Sequence, residues 1–332
     1  MPEGVHKTRV FISRDIPEEG IRILEQEGFD LTVWKEYRYI TQDELIEASR
    51  KSDALLCLLG DRIDKHFLNE CRHLNVISLY SAGYNNIDIP EATKLKIPVG
   101  NTPGAMSEAA ADIAFGLMIA AARKMVYMHK TILKGTWENF QPKARLGMEL
   151  KYKTLGIFGM GKIGFAMAER CRGAYRMEIL YCNRHENERA EKELGARRVS
   201  FEELLDQSDV LSVHCNLNPE TQGLFNRTVF SRMKTTSLFI NTSRGSVHNE
   251  RDLIDALENQ VIRGAGLDVT DPEPMKPDNP LLSMENVCVL PHIGSATYEA
   301  RDQMARMAAE NIIGYYRERK VPYILNPEAL EM

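Results

Sequence analysis

No Cys-x-x-Cys pair occurs among the six cysteines (57, 71, 171, 182, 215 and 288), and no His–Cys cluster has zinc-finger spacing. A structural zinc site is therefore not expected, and no metal ligand is assigned. Six dispersed thiols in 332 residues read as reduced, buried side chains of a cytoplasmic protein, not as a disulfide framework. The first thirteen residues lack the apolar core of a secretory signal. Long apolar runs are also missing. The longest, from Ala109 to Ala122, carries Asp112 and meets Arg123-Lys124, so it reads as a buried helix and no membrane association is expected. Neither sign of charge dominates: 42 Lys and Arg stand against 47 Asp and Glu, a net of −5. That balance leaves no footprint for nucleic acid, and the Arg197-Arg198 doublet is too short to make one.

What the chain has is apolar mass, 43% hydrophobic against 27% charged residues, enough for a sizeable core. Its length suggests about two domains. Short bounded apolar runs alternate with helical patterns. Residues 9–13, 54–59 and 76–80 read as strands, and 18–27 as a helix stopped by Gly28. The turn formers Gly100-Asn-Thr-Pro-Gly104 mark a boundary. A helix is then expected from Ser107 to about Lys134, ended by Gly135. Candidate strands follow at 154–158, 178–182, 210–214, 238–241, 264–268 and 287–290, and helical spacing resumes over 299–317. Strands alternating with helices predict an α/β fold of doubly wound, parallel-sheet units.

Gly159-Met-Gly161-Lys162-Ile163-Gly164 follows one of these strands and opens a helical segment. Glycine is demanded three times, for the tight turn, for the approach of a pyrophosphate, and for helix–strand packing. Such a turn binds a dinucleotide on free N–H groups at the helix start. An NAD site usually has Asp or Glu about 20 residues further on, holding the ribose 2′-OH. Here the second strand ends in Asn183-Arg184-His185. No carboxylate repels a 2′-phosphate, and the Arg184 fork can pair with one. NADP(H) is the preferred cofactor on this reading, with NAD(H) possible.

Three later residues stand at or beyond the carboxyl ends of predicted strands, where open α/β sheets place ligands. Arg244 lies in Ile240-Asn-Thr-Ser-Arg-Gly245, Glu273 in Gly266-Leu-Asp-Val-Thr-Asp-Pro-Glu-Pro274, and His292 in Leu290-Pro-His-Ile-Gly-Ser-Ala-Thr297. These segments, in this order after the glycine motif, resemble the D-isomer-specific 2-hydroxyacid dehydrogenases over nearly the whole chain. Ala54-Leu-Leu-Cys-Leu-Leu59 and Ser81-Ala82-Gly83 most resemble the glyoxylate/hydroxypyruvate reductase branch.

The resemblance implies a catalytic set of Arg244, Glu273 and His292. His292 suits a proton donor near neutrality. A carboxylate on an imidazole favours its cationic form, the role implied for Glu273. Arg244 would hold the substrate carboxylate and polarise the neighbouring carbonyl. The backbone N–H groups of Ala82 and Gly83 match a carboxylate-binding loop. Asp268 would accept from the nicotinamide carboxamide. Asn216, Thr242 and Gly294 match cofactor positions, and Ser295 lies beside the substrate. Trp137 matches a residue that reaches a partner subunit's site.

The implied architecture is a Rossmann cofactor domain, residues 104–290, inserted into a flavodoxin-like substrate domain, residues 1–103 and 291–332. The implied function is NADPH-dependent reduction of glyoxylate or hydroxypyruvate to the D-2-hydroxy acid by a homodimer. Two alternatives stay open: a 2-keto-aldonate (2-ketogluconate) reductase, and a nucleotide-binding, corepressor-like interaction protein of the same fold.

Overall fold

The computed structural model describes residues 7–331. The chain forms two compact units: one combines the chain up to Met106 with the chain from Ala296, and the other is Ser107–Ser295. The second is inserted into the first. The divisions fall a few residues beyond 103 and 291, so His292 belongs with the inserted unit.

The first unit runs β1 (Arg9–Ile12), α1 (Glu18–Gln26), β2 (Asp30–Val33), α2 (Gln42–Arg50), β3 (Ala54–Cys57), α3 (Lys65–Glu70), β4 (Val76–Leu79), α4 (Ile89–Lys94) and β5 (Val99–Gly100). Its five strands are parallel, in the order β2-β1-β3-β4-β5. Every residue of the central β3 and β4 is buried, as expected of strands covered on both faces. The edge strand β2 alternates half-buried and exposed. Thr41 and Glu44 form a capping box that starts α2.

The inserted unit begins with α5 (Ser107–Ala122) and α6 (Met125–Leu133). It continues with β6 (Thr154–Phe158), α7 (Lys162–Tyr175), β7 (Glu178–Cys182), α8 (Glu188–Leu194), β8 (Arg197–Arg198), α9 (Phe201–Gln207) and β9 (Val210–Val213). It ends with α10 (Arg227–Arg232), β10 (Leu238–Asn241), α11 (Glu250–Glu258), β11 (Gly264–Leu267) and β12 (Val287–Val289). The seven strands are parallel, in the order β12-β11-β10-β9-β6-β7-β8. The chain reverses direction across the sheet between β6 and β9, so the switch point lies at the glycine turn. The remaining helix, α12 (Tyr298–Glu318), returns to the first unit, where Ser78 Oγ donates to the Ala308 carbonyl at 2.8 Å.

The expected single helix from Ser107 to Lys134 is instead two. Lys124 takes a left-handed conformation (φ 55) and its ammonium pairs with Glu285. The Ala122 carbonyl accepts from Met148 N–H at 2.9 Å, so a distant segment caps α5 where the sequence pattern runs on. Among the described residues no helix is long and apolar enough to cross a membrane. All six cysteines are free thiols.

Candidate active site

The residues singled out in the inserted unit line one edge of its sheet. Gly159 follows β6, Asn183 and Arg184 follow β7, Asn216 follows β9, Thr242 and Arg244 follow β10, Asp268 follows β11 and His292 follows β12. A parallel sheet sends every carboxyl end to the same side, so residues far apart in sequence meet there.

The glycine turn fits a dinucleotide. Gly159 has φ 99, and a Cβ there would lie 2.8 Å from the Cys215 backbone nitrogen. A Cβ on Gly164 would lie 2.6 Å from the Gly159 carbonyl oxygen. At Gly161 a Cβ would meet nothing within 4 Å, which leaves open room over the turn. Gly161 caps α7 without a side-chain hydrogen bond, so the first N–H groups of the helix, from Lys162 and Ile163 onward, are left to an anion. Asn183 works as a strut. Its Oδ1 accepts from Met160 N–H at 2.6 Å and its Nδ2 donates to the Met160 carbonyl at 3.2 Å. Arg184 is exposed and pairs with Glu220, beyond β9. Asn216 is exposed, and its carbonyl accepts from Thr221 Oγ1 at 2.7 Å. Thr242 is half-buried.

Glu273 and His292 meet. His292 Nδ1 lies 2.9 Å from Glu273 Oε2, both side chains about one-third exposed (32% and 38%). Thr270 N–H donates to Glu273 Oε1 at 3.0 Å, which fixes the carboxylate plane. Burial pushes the Glu273 carboxyl up. The hydrogen bond and charge of His292, the Thr270 N–H and the Arg244 charge together overcome this and hold it below the usual carboxylate range. His292 itself adopts φ 53, an uncommon conformation for a non-glycine residue that concentrates at functional sites. Asp268 supports it: Oδ1 accepts from Ile293 N–H at 2.8 Å and Oδ2 from Gly294 N–H at 2.7 Å. A carboxylate has about four acceptor positions, so each oxygen keeps capacity for a ligand.

Arg244 is half-buried, and burial pulls its pKa down while the Glu273 charge opposes that. Arginine stays cationic regardless. Its turn is clamped by Asn241, to which the sequence reading assigned no role. Asn241 Nδ2 donates to the Arg244 carbonyl (2.9 Å) and to His248 Nδ1 (3.0 Å), while Oδ1 accepts from Ser243 N–H and Oγ (both 2.9 Å). Burial pushes the His248 imidazole down to about 4, so at neutral pH it is the acceptor this bond needs. A Cβ on Gly245 would overlap the Thr270 carbonyl, so the turn bearing Arg244 and the loop bearing Glu273 touch backbone to backbone. That closeness carries no sequence signal beyond the glycine itself.

In the first unit, Ala82 and Gly83 follow β4. The Ala82 carbonyl accepts from Asn101 Nδ2 at 2.8 Å, and the Ser81 carbonyl from Thr102 N–H at 3.0 Å. Neither Ala82 nor Gly83 N–H donates to a partner among the described residues, so both are available to an anion. Ser295 ends the inserted unit, half-buried.

A glycine-turned doubly wound sheet with an acid-paired histidine at its carboxyl edge suits a dinucleotide-dependent oxidoreductase. Residues 115–294 match the NAD-binding domain of the D-isomer-specific 2-hydroxyacid dehydrogenases. A glyoxylate reductase from Korarchaeum cryptofilum is 42% identical over 327 residues, 98% of each chain. The crystal structure of a glyoxylate reductase from Paecilomyes thermophila superposes with a TM-score of 0.86 at 30% identity, covering 97% of this chain and 99% of that one. The NADPH-dependent glyoxylate/hydroxypyruvate reductase of Sinorhizobium meliloti, solved with NADP and malonate, gives 0.83 at 27% identity, covering 97% and 98%. The chain belongs to the D-isomer-specific 2-hydroxyacid dehydrogenase family. It is an enzyme that uses a nicotinamide cofactor to reduce a 2-oxo acid.

Proposed function

We propose that the enzyme reduces glyoxylate or hydroxypyruvate with NADPH, giving the D-2-hydroxy acid where the product is chiral. A dinucleotide held at the Gly159–Gly164 turn would, when bound, supply hydride to C2 of the oxo acid. The chain supplies the rest. Glu273 occupies His292 Nδ1, which leaves Nε2 to pass a proton to the carbonyl oxygen as it gains charge. Glu273 stays ionised and stabilises the imidazolium before transfer. Arg244 pairs with the substrate carboxylate and steadies the developing alkoxide. The free N–H groups of Ala82 and Gly83 are donors for the same class of anion. The 2.9 Å pairing of His292 with Glu273 is the observation that carries the reading.

Preference for NADPH is supported by Asn183, a strut where an acidic residue would exclude the 2′-phosphate, and by Arg184 at the turn. The Sinorhizobium relative is named as NADPH-dependent. The test is kcat/KM on glyoxylate, hydroxypyruvate and 2-ketogluconate with each cofactor. We expect glyoxylate or hydroxypyruvate with NADPH to lead by roughly tenfold or more, about what one charged pairing supplies. Leading turnover of 2-ketogluconate, or with NADH, would overturn the corresponding half. Absence of turnover on all three would favour a binding role.

The protein is proposed to act as a homodimer. Its exposed apolar side chains concentrate in α6 and the segment after it, where Leu133, Trp137 and Phe140 are 73%, 66% and 87% exposed. Such a patch marks an association surface, and Trp137 lies within it. Sedimentation equilibrium is expected to give twice the chain mass, and Leu133→Glu with Phe140→Glu a monomer. A wild-type monomer at micromolar concentration would refute this.

A further inference from the structure

The strand β8 is two residues long and pairs Arg197 with Leu180 and Arg198 with Tyr181 of β7. Successive strand side chains point to opposite faces, and the two arginines are used differently. Arg197 turns to α9, donating to Glu203 at 2.7 Å and Gln207 at 3.0 Å. Arg198 reaches past the end of β7. Its Nε and Nη2 donate to the Asn183 carbonyl at 3.3 and 3.0 Å, and Nη2 also donates to the Arg184 carbonyl at 2.7 Å. Glu186 lies 3.8 Å from its Nη1.

A guanidinium over two successive carbonyls has two effects. It offsets the negative ends of two peptide dipoles at a turn where an anion is to bind. It also fixes the backbone from which the Arg184 side chain springs. Asn183 is held from the other side by Met160. The turn is thus braced from both flanks, and the Arg184 side chain, tied among the described residues to an exposed carboxylate on another loop, is the part left able to exchange partners.

We propose that Arg198 is a positioning residue for cofactor discrimination: it sets Arg184 against the 2′-phosphate of NADP(H) and adds a second positive charge beside that phosphate. The proposal deepens the NADPH reading above and rests on it. A merely structural brace would matter equally for both cofactors, because the turn is common to both. A phosphate-directed one would matter for NADPH alone.

The experiment is fluorescence titration of NADPH and NADH into the wild-type enzyme, Arg198→Gln, Arg184→Gln, the double variant, and Arg197→Gln as the control on the opposite face. Arg198→Gln is expected to weaken NADPH roughly 5- to 20-fold, the scale of one charge-assisted contact, with NADH changed less than about twofold. Because Arg198 acts partly through Arg184, the double variant should lose less than the product of the single losses. Arg197→Gln should leave the NADPH/NADH ratio where it was. Wild-type preference for NADPH with an unchanged ratio in Arg198→Gln overturns this inference alone. Wild-type preference for NADH overturns it together with the cofactor reading.

Discussion

Replacing His292 by Gln should lower kcat for reduction by roughly 10²–10⁴-fold, the contribution of a positioned general acid, and leave dinucleotide binding intact. Glutamine keeps the bulk and can still face Glu273, but it has no proton to give at neutral pH. The proposed binding sites for phosphate and ribose lie at the ends of β6 and β7, away from β12, so cofactor titration is the control that separates lost chemistry from lost fold. Near-normal turnover would remove His292 from the mechanism. A companion variant, Glu273→Gln, should show a smaller fall, since the amide can still partner His292 Nδ1 but carries no charge. In the wild type the Glu273 carboxyl sits below the usual carboxylate range, so it is anionic throughout neutral pH and the 2.9 Å contact is made to a carboxylate. Undiminished kcat in that variant would mean that the charge at this contact contributes nothing to turnover.

Arg244→Lys should lower kcat/KM by roughly 10²–10³-fold, comparable to loss of an oxyanion donor. The charge is retained, so this variant asks whether the planar fork matters. Lysine offers one ammonium where arginine offers two parallel N–H groups to carboxylate and carbonyl. The Asn241 clamp acts on the residue 244 carbonyl, which any side chain leaves in place. Oxamate, a carboxylate-bearing mimic of a 2-oxo acid, should bind the variant at least tenfold more weakly in the presence of cofactor, about one lost hydrogen bond to a charge. Unchanged oxamate affinity with depressed kcat would reassign Arg244 to the transition state alone. Unchanged kcat/KM would exclude it from the site.

The interior strands were legible because they are buried on both faces and read as nearly continuous apolar runs: β3 is Ala-Leu-Leu-Cys, β9 Val-Leu-Ser-Val, β10 Leu-Phe-Ile-Asn. Of the edge strands only β12, Val-Cys-Val, read the same way. In β2 the residues are half wet, β5 is two residues, and β8 is a pair of exposed arginines; pairing with a neighbour, not composition, makes them strands. The break at Lys124 was hidden for a related reason, since the group that ends α5 arrives from Met148. Gly159–Gly164 was readable because each glycine answers a backbone demand. The pairing of Glu273 with His292 came from resemblance to a family; their separation in sequence says nothing of contact. Asn241 and Thr270 stayed invisible because Asn241 holds a main-chain carbonyl and Thr270 acts through its own main-chain N–H, and such atoms leave little mark in a one-dimensional string.

The abutment of Gly245 against the Thr270 carbonyl bears on how this scaffold can be redesigned. Freedom to vary the residues beside Arg244 stops one position downstream: even a single methyl at Gly245 wedges apart the stretch that carries Arg244 and the stretch that carries Glu273. Diversity has to be sought elsewhere, because at this seam the two stretches are inherited as one piece.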